Sequence, residues 1–112
     1  MRDILAQLDA AVATSETLYD CPRQTMVDDV VLTFCNRGAA ADAVRISIAK
    51  AGIALGNEQY FYYDFPVAAN DTFMSSIGAV MRAGDILRCY STTGNTTFTM
   101  TGDVISPAQD RR

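Results

Sequence analysis

The chain of 112 residues contains no histidine and no tryptophan. Without histidine it lacks the commonest general base, the commonest metal ligand and the usual nucleophile–base triads. Glutamate occurs only at Glu16 and Glu58. With scattered aspartates besides, no pair of carboxylates can be nominated for glycosidic chemistry. G-x-S-x-G, P-loop and dinucleotide-binding patterns are also missing. The reading is therefore of a protein that is not an enzyme, with no catalytic residues and no cofactor. No apolar run approaches 18 residues, so no membrane-spanning helix is expected. Asp3 stands where a secretory leader would carry a basic residue, which argues against that route of export.

Lysine is nearly absent too. Lys50 stands with 8 Arg against 11 Asp and 2 Glu, for a net charge of −4. An acidic chain with no basic stripe repels phosphate backbones, so nucleic acid is not an expected partner. Short polar side chains take the place of long charged ones, as is common where surfaces meet other proteins. The three cysteines, Cys21, Cys35 and Cys89, are odd in number and lack C-x-x-C spacing. That excludes a complete disulfide framework and a zinc site. A Cys35–Cys89 bridge of immunoglobulin type would want a tryptophan beside it and a tyrosine where Leu87 stands. Buried free thiols are the expectation. Asp28 and Asp29 are adjacent, so on a strand they point to opposite faces, and Asn70-Asp71 reads as a turn. No metal site is expected.

What is present is hydrophobic residue, 49% of the chain, with five Tyr and five Phe. From Thr25 to Ile105 it falls into short apolar runs divided by turn signals. Val30, Leu32 and Phe34 alternate with Val31, Thr33 and Cys35, a pattern expected of a strand buried on both faces, and Asn36-Arg37-Gly38 ends it. Val44, Ile46 and Ile48 alternate with polar residues as a half-buried strand does. Gln59 to Phe65 is the most aromatic stretch, closed by Pro66. Ile86–Ser91 and Thr97–Thr101 flank Thr93-Gly94-Asn95 as in a hairpin. The spacing predicts an all-β protein, an antiparallel β-sandwich of jelly-roll or immunoglobulin-like type. Residues 17–105 would form the sandwich and residues 106–112 a polar tail. For residues 1–16, Ile4, Leu5, Leu8 and Val12 lie near helical spacing, so that stretch reads either as a short helix or as an extended arm that pairs with a neighbouring subunit.

The candidate site is an interface. Regular alternation puts Tyr60 and Tyr62 on one face of the aromatic strand and Phe61, Tyr63 and Phe65 on the other. Tyrosine offers large contact area with a polar handle, so Tyr60, Tyr62, Tyr63 and Phe65 are candidate contact residues. Ile4, Leu5 and Leu8 join them from the N-terminal stretch.

Leu18-Tyr19 followed by Pro22, Cys35-Asn36-Arg37-Gly38, Tyr62-Tyr63-Asp64 before Pro66, Ala69-Asn70-Asp71-Thr72, and Gly84-Asp85-Ile86 with Tyr90-Ser91 come in an order and spacing that resembles small bacteriophage virion structural proteins. The resemblance runs from about Leu18 to Ile105, with Cys21 where an aliphatic residue is usual. It implies a β-sandwich displayed on a phage particle and carries no catalytic residues. The expected role is a capsid decoration or cement protein that binds the major capsid protein or other virion proteins and stabilises the assembled head. The expected form is a homo-oligomer, by analogy a trimer, in a virion assembled in the host cytoplasm. The alternatives are a tail-fibre or baseplate component that binds the host surface, with Tyr60 or Tyr62 as a sugar platform, and a head–tail connector piece.

Overall fold

The computed structural model describes residues 2–105; the expected polar tail lies outside them. Nine strands run β1 (Arg2–Asp9), β2 (Glu16–Asp20), β3 (Met26–Asn36), β4 (Asp42–Ala49), β5 (Tyr60–Val67), β6 (Thr72–Ser76), β7 (Met81–Arg82), β8 (Ile86–Ser91) and β9 (Thr96–Ile105). They form two sheets. Sheet A has the order β1-β9-β3-β6, with β7 also on β3, and sheet B the order β2-β8-β4-β5. Every pairing within the sheets is antiparallel. This interleaving is that of a jelly roll, which decides between the two sandwich types the spacing left open.

The N-terminal stretch is strand, not helix: β1 pairs with β9 of its own chain over Arg2–Asp9. Bonds to β9 along one edge outweigh the loose helical spacing of Ile4, Leu5 and Leu8, since a lone short helix is marginal in water. A bulge between Ile4 and Ala6 then turns Leu5 toward the core beside Ala6 and Leu8, while Ile4 stays outside. The expected hairpin at Thr93-Gly94-Asn95 is instead a crossing. β8 lies in sheet B and β9 in sheet A, so Gly94, at φ +79°, carries the chain from one layer to the other. Among the described residues, β4 and β5 are the one pair of consecutive named strands bonded to each other within sheet B.

The core fills the space between the sheets. Val30, Leu32 and Phe34 of β3 and Phe98 and Met100 of β9 face Val44 and Ile46 of β4 and Leu87 and Cys89 of β8, all nearly solvent-free. Phe34 is the hub. Its ring meets those of Tyr62, Phe65, Phe73 and Phe98 at centroid distances of 5.7, 6.3, 5.9 and 5.6 Å. Interlocked aromatic rings of this kind add to the area they bury. The outward partners on β3, namely Val31, Thr33 and Cys35, are only half-buried. The strand is therefore buried on one face, not two.

Buried polar groups tie the corners. The Asn36 amide donates to the carbonyls of Ala40, Val67 and Ala68 and its oxygen accepts from the Gly38 amide, which explains the turn signal at Asn36-Arg37-Gly38. Asp42 accepts from the hydroxyls of Ser91 and Thr96 and from the Thr93 amide. Burial pushes this carboxyl up, but the three hydrogen bonds prevail and hold it below its ordinary value.

Candidate interaction surfaces

The aromatic strand does not alternate simply. Against β4, Phe65 pairs with Val44, Tyr62 with Ile46 and Tyr60 with Ser47, so β5 holds one extra residue in each interval. One extra residue lies at Tyr63-Asp64, where Asp64 has φ +52°, and the other is Phe61. Each bulge flips the register of the side chains that follow. Tyr62 and Phe65 consequently both turn inward onto Phe34 and Phe73, and the Tyr62 hydroxyl bonds that of Ser75 on β6. Tyr60 and Tyr63 both turn outward. The sequence alternation placed Tyr62 with Tyr60 and Phe65 with Tyr63; the two bulges exchange those partners.

On the outside of sheet B these tyrosines join a ladder that no local pattern announced. The Arg45 guanidinium lies over the Tyr63 ring at 4.2 Å and the Tyr90 ring at 4.4 Å, and its Nε donates to Asp64 at 2.7 Å. That bond, chiefly, raises Arg45 above its ordinary value. Tyr60 meets Tyr63 nearly at right angles, 79°, with centroids 4.9 Å apart. Asn57, in the short 3-10 turn Asn57–Gln59, completes an open cleft of about 290 Å³ with Tyr60 and Tyr63.

The outside of sheet A holds a second surface, and sequence reading missed most of it. The strand registers stack three rows across four strands: Asp9-Thr97-Cys35-Thr72, then Gln7-Thr99-Thr33-Met74, then Ile4-Thr101-Val31-Ser76. Five of these twelve positions are threonine, and the single charge, Asp9, is paired with Arg37 at 2.5 Å. Ile4 and Met74 stand at opposite edges, 59% and 67% exposed. Charge depletion at the centre of a patch marks contact surfaces better than hydrophobicity does, and the chain is 20% charged overall. The local signal was the alternation Thr97-Thr99-Thr101. Its significance depended on the neighbours that β1, β3 and β6 supply. Of the residues expected at an interface, Ile4, Tyr60 and Tyr63 are outward; Leu5, Leu8, Tyr62 and Phe65 pack against the core.

Cys35 sits in the threonine face. Cys21 and Cys89 are buried free thiols, as expected, whereas Cys35 is half-buried. Cys89 points inward from sheet B and Cys35 outward from sheet A, so no bridge joins them. Burial, with Glu16 nearby, pushes the Cys89 thiol up to about 12; burial, with Asp85 and Asp20, pushes Cys21 up to about 11. Among the described residues no three His, Cys, Asp or Glu side chains gather where they could hold a metal ion. No helix among them is long and apolar enough to cross a membrane.

No protein-family profile matches the chain, and no curated protein sequence matches it. Among solved structures, the chain is similar to a pentameric capsid protein isolated from metagenomic phage sequences. The identity is 16% and the TM-score 0.39, over 94% of this chain and 68% of that one.

Proposed function

We propose that this protein is a non-enzymatic structural component of a bacteriophage particle, seated on the assembled head through the outer face of sheet A. The observation that carries the reading is the three-row array centred on Thr99 and Thr33: twelve positions with a single charge, already paired, and exposed apolar residues at both edges. β-Branched side chains on such a face are already restricted at χ1, so they lose little freedom on contact. The order of turn motifs resembling small virion proteins, and a sandwich of the jelly-roll type that many shell proteins use, support the same reading.

The mechanism is mass action. A protein that binds the assembled shell and not its free subunits stabilises the shell by RT ln(1 + [L]/Kd) at each site. A closed homo-oligomer multiplies that effect through effective concentration. Decoration of the head is preferred to a tail-fibre or connector position because a three-row array with one charge, already paired, suits lateral seating on a broad surface.

Two measurements test this. Counting copies per purified particle should give roughly hundreds, as repeated seating on a shell requires; a dozen or fewer would place the protein at a tail or connector. Co-sedimentation with shells lacking the protein should be abolished by Thr99→Lys, which puts a charge at the centre of the face, in a variant whose thermal midpoint is unchanged. Undiminished co-sedimentation of that variant overturns the assignment of the face.

A further inference from the structure

We propose that the cleft walled by Asn57, Tyr60 and Tyr63, on the side of the molecule opposite the threonine face, binds one neutral pyranose ring. The volume, about 290 Å³, lies near the lower end of small-ligand pockets, and three residues line it. An extended proline-rich peptide, the other ligand that aromatic walls suit, needs a longer groove. The Tyr60 and Tyr63 rings stand 79° apart. A sugar ring entering that corner can lay its C–H face against an aromatic ring face, whose π-cloud is negative. Its hydroxyl rim then meets the phenols and the Asn57 carboxamide, which offers both donors and an acceptor.

Charge disfavours an anionic ligand. The cation that touches the cleft's wall, Arg45 over the Tyr63 ring, is already bonded to Asp64 at 2.7 Å and clasped between Tyr63 and Tyr90. A phosphate or carboxylate would have to break that arrangement. The same clasp holds Tyr63 in place, although 58% of it is exposed. The turn carrying Asn57 is set by the Gln59 amide on the Gly56 carbonyl at 3.1 Å and the Gln59 side chain on the Ala54 carbonyl at 2.7 Å. A site held ready in this way loses little freedom when a ligand arrives.

The test is calorimetric or NMR titration of the full chain with methyl glucoside, methyl galactoside and N-acetylglucosamine, each to about 50 mM, a range suited to millimolar affinity. Saturable binding of at least one is expected. Tyr63→Ala and Asn57→Ala should each weaken it about tenfold without moving the thermal midpoint, and Thr99→Lys should leave it unchanged. If Tyr63→Ala fails to fold, Asn57→Ala on the exposed turn decides alone. Absence of saturable binding to all three sugars overturns the proposal, as does binding indifferent to Asn57→Ala, or binding of a proline-rich peptide in their place. Because Thr99→Lys alters only the opposite face, sugar binding and shell seating fail independently.

Discussion

Thr96, at the start of β9, donates its hydroxyl to the Asp42 carboxylate in β4 at 2.5 Å, from one sheet to the other and across 54 residues of chain. Ser91, at the end of β8, donates to the same carboxylate. A single buried acid therefore holds both ends of the segment that crosses between the layers. That crossing is what separates a jelly roll from the hairpin the local sequence suggested.

Asp42→Asn is expected to destabilise the protein by about 2 kcal/mol, because an amide cannot accept from both hydroxyls and the Thr93 amide and leaves a buried donor unmade. For a chain this size the thermal midpoint should fall by roughly 10 °C. The pH dependence follows from the depressed carboxyl. Stability from this group is fully present above the ordinary carboxylate value, near pH 4, and is lost as pH falls through the lower folded value. Acid titration followed by circular dichroism should show that loss in the natural protein and a flatter profile in Asp42→Asn.

Tyr62→Ala should destabilise the isolated domain by about 3 kcal/mol, since the ring packs on Phe34, Phe65 and Phe73 and leaves a cavity when removed. Tyr62→Phe keeps the packing and forfeits only the bond to Ser75, costing about 1 kcal/mol. Denaturant unfolding measures both. Equal, small losses would mean that Tyr62 faces solvent, as its nomination as a contact residue supposed.

The thiols should label in the order Cys35 first, then Cys21, with Cys89 slowest. Reactivity follows exposure and thiolate fraction. Cys35 is half-buried on an outer face, while burial raises Cys21 to about 11 and Cys89 to about 12. Timed alkylation at pH 8 with mass spectrometry reads the order. On intact particles Cys35 should be protected, because it lies within the proposed seat; equal labelling on and off the particle would contradict that placement.

Gly94→Ala should cost about 2 kcal/mol. The residue sits at φ +79°, and an added Cβ would stand 3.1 Å from the backbone of Val12, so backbone strain and crowding act together. Equilibrium denaturation checks it; a neutral result would mean that the crossing relaxes freely.

Several features of the fold were legible residue by residue. The turn at Asn36-Arg37-Gly38 is where its side chains said it would be, because the Asn36 side chain bonds the backbone of Gly38 and Ala40, two and four residues on. The apolar positions Val30, Leu32 and Phe34 lie inward because a strand's period is a local property of the pleat. Tyr62 and Phe65 were misplaced because a bulge inserts one residue and reverses every side chain beyond it, and its position is set by the partner strand.

Composition and alternation by themselves determined that the chain is β-rich, poor in catalytic side chains and punctuated into short strands, since these follow from residue type and from contacts a few positions apart. Only the tertiary structure decided which sheet each strand joins, that β8 and β9 part company, and that threonines from β3, β6 and β9 meet on one face. Strand partners are chosen by burying apolar area between distant segments, and that choice is not written in any one segment.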